Sequence, residues 1–254
     1  MIREFTIGST IKRRLLINYR VNPESLAHFL PPPFRPQILG GVGIAGICLI
    51  RLQQLRPRGW PAAVGISTEN AAHRVAVEWD GPDGIQRGVF IPRRDTSSLL
   101  TALVGGRLFP GEHHRARFRT SEDHGRYEVT FASLDGTAHV EARAKAVPEL
   151  PSGSAFGSLA EASAFFQDAP IGLSPAREPG RFDVVSLYCP TWHVEPLLVE
   201  HVVSSFFENT TLFPAGCVEF DSALLMRDLQ ATWRSNRLME VPVGPPRTYQ
   251  SESR

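Results

Sequence analysis

Lysine is nearly absent from this sequence. Among its 27 basic residues only Lys12 and Lys145 are lysines; the others are arginines. Chemistry that needs a neutral amine nucleophile is confined to those two positions, because arginine does not release its proton in any usable range. Cysteine is scarce as well. Cys48, Cys189 and Cys217 are far apart and odd in number, which argues against a disulfide framework and a paired-cysteine metal site. No apolar run approaches the roughly 20 residues of a membrane span. The start, Met1-Ile2-Arg3-Glu4-Phe5, has no signal-peptide pattern, so a cytoplasmic location is expected. The formal net charge of +1 gives no bulk electrostatic reason for a nucleic-acid or membrane partner. Linkers, repeats and low-complexity blocks are also missing.

What is present is a chain of 254 residues, 42% hydrophobic, with 21 glycines and 21 prolines scattered between short alternating segments. That pattern predicts strands separated by turns. Arg14 to Val21 reads as a first strand, followed by a helix to Leu30 that Asn22 caps and Pro23 opens. Ile44 to Leu55 reads as a long strand. In Ala71 to Trp79, Val75, Val77 and Trp79 share one face, and Arg74, Ala76 and Glu78 the other. A turn at Gly81-Pro82-Asp83-Gly84 makes this run a hairpin with Ile85 to Ile91. Asp95 to Leu103 is expected to be a helix capped by Asp95 and ended by Gly105-Gly106. Three strands follow at meander spacing, from about His114, Arg126 and Thr137. Ser158-Leu159-Ala160-Glu161 reads as a capping box for a helix through Phe166. Further strands are expected from Phe182, Trp192 and Cys217, with part of Val218 to Arg234 open to a helical reading. The fold class is α+β, mainly antiparallel β, as one domain over residues 1–240 with a flexible tail at 241–254.

Several motifs are decoys. Gly41-Val42-Gly43-Ile44-Ala45-Gly46 spells a dinucleotide fingerprint, but no strand precedes it and a β-like run follows where a helix is required. His113 and His114 would point to opposite faces of a strand, which opposes joint chelation unless His73 or Glu69 helps. No cofactor is expected and no metal ligand is assigned, while a metal near His73, His113 and His114 stays open because these three histidines lie with Glu69 and Glu78 between residues 69 and 114. Neither a zincin helix motif nor a nucleophile elbow occurs.

Two stretches resemble the acetoacetate decarboxylase superfamily and, within it, a DUF2071-type branch. The first is Leu16-Ile17-Asn18-Tyr19-Arg20-Val21-Asn22-Pro23-Glu24, running to Leu30-Pro31-Pro32. The second is Glu69 to Trp79 together with Gly88-Val89-Phe90-Ile91-Pro92-Arg93-Arg94-Asp95-Thr96-Ser97-Ser98. The resemblance implies a cone-like or barrel-like antiparallel sheet around an apolar pocket, and self-association, for which Phe206, Phe207 and Phe213 are interface candidates beside their ordinary reading as core. It also implies a catalytic lysine in the region matching Gly88 to Ser98. Here that region reads Pro92-Arg93-Arg94-Asp95, and no lysine lies between residues 13 and 144. Lys145 falls on the charged face of a strictly alternating strand, and Lys12 in a basic cluster with Arg13 and Arg14.

The expectation is therefore a pocket for a small anionic ligand and an enzyme of lyase, hydratase, isomerase or cyclase type on a keto or enol acid, without a Schiff base. A non-catalytic binding protein and a self-associating scaffold remain as alternatives. Candidate catalytic residues are Arg93 and Arg94 as bidentate clamps, and Glu69, Glu78 and His73 as acid or base. Candidate ligand contacts are Asn70, Arg74, Ser97, His113 and His114.

Overall fold

The computed structural model describes residues 6–104 and 111–240. The expected tail and Gly105-Gly106 lie outside them. Strand β1 (Thr6–Val21) leads into helix α1 (Pro23–Phe29), where Asn22 Oδ1 accepts from the Ser25 amide at 3.1 Å and Leu26 packs inward. Short strands β2 (Arg35–Pro36) and β3 (Ile38–Leu39) precede β4 (Val42–Pro57). Strands β5 (Ile66–Gly81) and β6 (Gly84–Thr96) form the expected hairpin, with Gly81 paired to Gly84. After helix α2 (Leu99–Val104) come β7 (His113–Asp123), β8 (Arg126–Ser133) and β9 (His139–Ala146) as a meander. Helix α3 (Leu159–Gln167) starts at Ser158, whose Oγ accepts from the Glu161 amide at 3.1 Å. Glu161 Oε2 accepts from Gly157, one residue earlier than a reciprocal capping box would have it. Strands β10 (Ile171–Pro175), β11 (Arg181–Tyr188), β12 (Glu195–Ser204) and β13 (Val218–Glu240) complete the chain. The helical alternative within Val218 to Arg234 is not realised. β13 runs its length as a strand because β1, β12 and β11 each supply a hydrogen-bonding edge along it.

One expected element is corrected. Asp95 does not cap a helix. It lies in β6, fully buried, and accepts two bonds from Arg93, at 2.9 Å from Nε and 2.8 Å from Nη2. The helix begins four residues later, at Leu99, and Ser98 Oγ takes the capping role by accepting from the Thr101 amide at 3.1 Å. A buried carboxylate gains more from a bidentate guanidinium two residues away on the same strand face than from orphan helix amides.

All the described strands belong to one mostly antiparallel sheet, and its pairings close on themselves twice. One ring runs β6-β7-β8-β9-β12-β13-β1-β4-β5 and back to β6. The other runs β6-β10-β11-β13 and returns through β1, β4 and β5. The five shared strands have two interior faces. On one, Leu15, Ile17, Ala45, Ile47, Leu49, Val75 and Val77 join a core with Val129, Phe131 and Val140 of the meander. On the other, Leu16, Ile44, Cys48, Ile50 and Ala76 face Phe156, Ala162 and Phe166 around α3. Phe207 and Phe213 are 5% and 2% exposed in the first core, with Phe206 packed against them, so these rings are interior and not surface.

No helix among the described residues is long and apolar enough to cross a membrane.

Candidate ligand-binding site

The second face of the shared strands encloses a cavity of about 400 Å³. Its walls are apolar: Ile50, Leu52 and Leu55 of β4, Val89 and Ile91 of β6, Val185 and Leu187 of β11, with Phe166, Trp192 and Trp233. Into it project three arginines from three strands, Arg14 of β1, Arg74 of β5 and Arg94 of β6, together with Asn70 and His113. Among the described residues that line it there is no aspartate or glutamate.

The three guanidiniums are poorly satisfied by the protein itself. Arg14 donates through Nε to Cys48 Sγ at 3.2 Å and through Nη1 to Met226 Sδ at 3.6 Å, two weak acceptors. Arg94 donates through Nε to Ser174 Oγ at 3.0 Å. Arg74 is 3% exposed; its Nη2 bonds Asn18 Oδ1, its Cζ lies 4.6 Å from the Phe166 ring centroid, and its Nε and Nη1 have no partner. Burial pushes Arg74 and Arg94 each down to about 10, partly offset at both by Cys48 and at Arg94 also by the Asp183 carboxylate. Both stay cationic at neutral pH. An unpaired cation in a low-dielectric wall costs several kcal/mol, and an anion in the cavity offsets that cost.

Local sequence explains how these side chains arrive. β6 gains one residue against β5 between the His73–Arg93 and Val75–Phe90 pairs, where Pro92 sits. A bulge reverses strand parity. Val89 and Ile91 face the cavity before it, and Arg94 after it, while Arg93 turns to the opposite face. Glycines make room: a Cβ on Gly46 would come 3.1 Å from Arg74 Nη2, and one on Gly111, at φ +79°, 2.9 Å from Arg94 Nε. The last glycine of the apparent dinucleotide fingerprint is required first by the neighbouring strand, since its Cβ would clash with the Ile17 carbonyl oxygen, and it leaves room for Arg74 as well. His113 Nδ1 lies 2.9 Å from the Gly111 carbonyl. A carbonyl only accepts, so Nδ1 carries the proton and Nε2 is the basic nitrogen. Burial, then Arg94, holds His113 at about 3.

Of the ten residues singled out from sequence, Arg94, Arg74, Asn70 and His113 meet in the cavity, and the other six do not line it. Glu69 bonds Arg13 Nη2 at 2.6 Å and also Arg51, on the first face. Glu78 bonds Arg35 Nε at 2.9 Å near the surface. Arg93 holds Asp95, and His114 Nδ1 lies 2.9 Å from Asp135. Ser97 Oγ accepts from the Glu69 amide at 2.9 Å, which ties the end of β6 to β5. Arg14, Cys48 and the aromatic wall were missed. Their only sequence signal is the alternation that puts Arg14 on the face of Leu16.

His73 is fully buried at 4.6 Å from the Phe206 ring, and neither ring nitrogen has a partner. Burial, then Arg93, pulls its pKa from 6.5 to about 3. The unfolded histidine binds a proton below about 6.5 and the folded one resists until about 3. Stability present above the higher value is therefore lost as pH falls between the two, by up to about 1.4 kcal/mol per pH unit. His73→Leu is expected to flatten this acid limb. In urea unfolding at pH 7 and pH 5, the parent should lose about 2 kcal/mol more than the variant. Equal losses would mean that His73 is not held neutral by burial.

Residues 9–170 match DUF2071, a family described as an uncharacterised conserved protein. The chain belongs to this family. No curated protein matches it in sequence. Among solved structures it is similar to an acetoacetate decarboxylase-like enzyme from Sphingomonas wittichii, with TM-score 0.60, 12% identity, and 95% of this chain and 93% of that one covered. It is also similar to the enduracididine biosynthesis enzyme MppR complexed with pyruvate, with TM-score 0.63, 11% identity and coverage of 94% and 91%. Acetoacetate decarboxylase from Legionella pneumophila matches with TM-score 0.61, 11% identity and coverage of 92% and 86%. At these identities the likeness establishes that this DUF2071 protein has the acetoacetate decarboxylase-like fold, and no more.

Proposed function

We propose that this protein binds a small carboxylate with an apolar body in the cavity of the second ring, and acts on it without a Schiff base. The observation that carries the reading is the meeting of Arg14, Arg74 and Arg94 in an apolar cavity with no carboxylate among the described residues that line it, and with two Arg74 nitrogens unpartnered. The size of the cavity favours a ligand larger than a three-carbon acid. Its emptiness of protein side chains speaks against a purely scaffolding role. MppR was found complexed with pyruvate, a 2-oxo acid, which agrees with an acid ligand in this fold.

His113 supports catalysis over simple storage. Its Nε2 is the basic nitrogen of a group that lines the same cavity as Arg94. Burial first, and then Arg94, lower its basicity, and a bound anion can relieve only the Arg94 share. A bound carboxylate offsets Arg94 and strengthens the base beside the ligand, while the arginines stabilise the enolate that proton removal creates. Stepwise elimination of water and enolisation-based isomerisation begin this way.

Binding is tested by titrating hydrocinnamate against its amide while following Trp192 and Trp233 fluorescence. The acid should bind and the amide should not; equal binding would overturn the reading. The amine-free chemistry has its own test. Lys145 Nζ is 3.1 Å from Glu200 and Lys12 Nζ 2.6 Å from Asp228, and neither lines the cavity. Borohydride reduction with phenylpyruvate or acetoacetate is expected to leave the intact mass unchanged. A lysine adduct would place one of these amines in the cavity and sink this half of the reading.

A further inference from the structure

We infer that Cys48 is a nucleophile aimed at the carbon next to the carboxylate of the bound ligand, adding reversibly to the keto group of a 2-oxo acid that bears an apolar side chain. This rests on the carboxylate-binding reading above and deepens it.

Cys48 sits on β4 opposite Leu16 of β1 and Ala72 of β5, and its side chain lines the cavity. Its sulfur accepts from Arg14 Nε at 3.2 Å. The Cys48 sulfur thus lies at hydrogen-bond distance from one of the three arginines that line this cavity. The unpartnered Nε and Nη1 of buried Arg74 point independently to a ligand at this place. Cys189 also lines the cavity, where burial, partly offset by Arg14, raises its thiol, and Cys217 accepts from Ser25 Oγ at 3.1 Å and does not line it.

The geometry selects the atom attacked. A carboxylate oxygen seats about 2.7–2.9 Å from a guanidinium nitrogen. A carboxylate on these arginines therefore lies alongside a sulfur that is itself at hydrogen-bond distance from Arg14. The first carbon within reach of that sulfur is the one attached to the carboxylate. If that carbon carries a keto oxygen, the step balances without another reactant. The S–C bond forms, the C=O π bond opens, and the thiol proton ends on the former keto oxygen to give a thiohemiketal. Arg94 and Arg74 are placed to stabilise the oxygen as charge develops on it.

The test uses phenylpyruvate labelled with carbon-13 at its keto carbon, and α-bromohydrocinnamate as an irreversible reporter. The expected result is a tetrahedral carbon signal in the parent protein that disappears in Cys48→Ser. The bromo acid should alkylate Cys48 at least about tenfold faster than its amide does, and Arg94→Gln should remove most of that preference. Peptide mapping should find Cys48 labelled ahead of Cys189 and Cys217. Hydrocinnamate binding to Cys48→Ser separates the two readings. Binding without an adduct in the parent overturns the role of Cys48 alone, whereas no binding in either protein overturns the carboxylate reading with it. Label on Cys189 or Cys217 first, or equal rates for acid and amide, also overturns the inference.

Discussion

Replacing Arg74 with methionine should make the ligand-free protein more stable by about 1–2 kcal/mol and weaken carboxylate binding by about 10- to 100-fold. The two effects share one cause. Arg74 is buried and charged at neutral pH, with one hydrogen bond, to Asn18, and two unpartnered nitrogens. In the empty cavity the fold bears its desolvation without a compensating anion; in the complex that cost becomes binding energy. Methionine keeps most of the volume and the packing on Phe166, and gives up the cation–π contact. Against the gain stands the Asn18 Oδ1 left without Arg74, although Asn18 Nδ2 keeps Ser222 Oγ at 3.3 Å. Urea unfolding and hydrocinnamate titration on the same variant check both halves. A variant that loses stability and still binds would make Arg74 a structural cation with its partner inside the protein.

Replacing Arg13 with methionine should cost about 3–5 kcal/mol of stability and leave carboxylate binding unchanged. Arg13 is fully buried on the first face, away from the cavity. It donates to Glu69 at 2.6 Å and to Glu122 at 2.8 Å, and Arg51 contacts the same two carboxylates. The four charges come from β1, β4, β5 and β7, so the cluster joins strands from opposite sides of the first ring. Removing one arginine leaves two partly buried carboxylates sharing Arg51. Glu69→Gln added to Arg13→Met should recover part of the loss, because it removes the orphaned charge. Denaturant unfolding of both single variants and the pair measures the coupling. Additive losses would mean the cluster contributes nothing beyond its separate members.

This prediction also reassigns Glu69. Read along the chain, Glu69, His73, Arg93 and Asp95 form one polar block with Asn70, Arg74 and Arg94. Folded, the block is divided by strand alternation. Glu69, His73, Arg93 and Asp95 face the first core, and Asn70, Arg74 and Arg94 face the cavity. Arg93 and Arg94 are neighbours that read as a joint clamp, yet a strand sends neighbours to opposite faces. Which of the two reaches the cavity depends on a single extra residue at Pro92. Nothing local to the two arginines encodes that parity, since the bulge is a relation between β6 and its partner β5.

The boundary between what the sequence alone determined and what required the tertiary structure follows range of interaction. Strand periodicity, the Asn22 and Ser158 caps, the β5–β6 turn and the strand face of Val75, Val77 and Trp79 depend on neighbours a few residues away, and they were legible. So was the place of Lys145 on the polar face of an alternating strand, where it meets Glu200. The double closure of the sheet, the capture of Asp95 by Arg93, and the meeting of Arg14, Cys48, Arg74 and Arg94 were not legible. Each depends on which distant strands pair and in what register, and one shifted residue exchanges the two faces. The sequence set the residue types available to the cavity; only long-range pairing decided which of them face it.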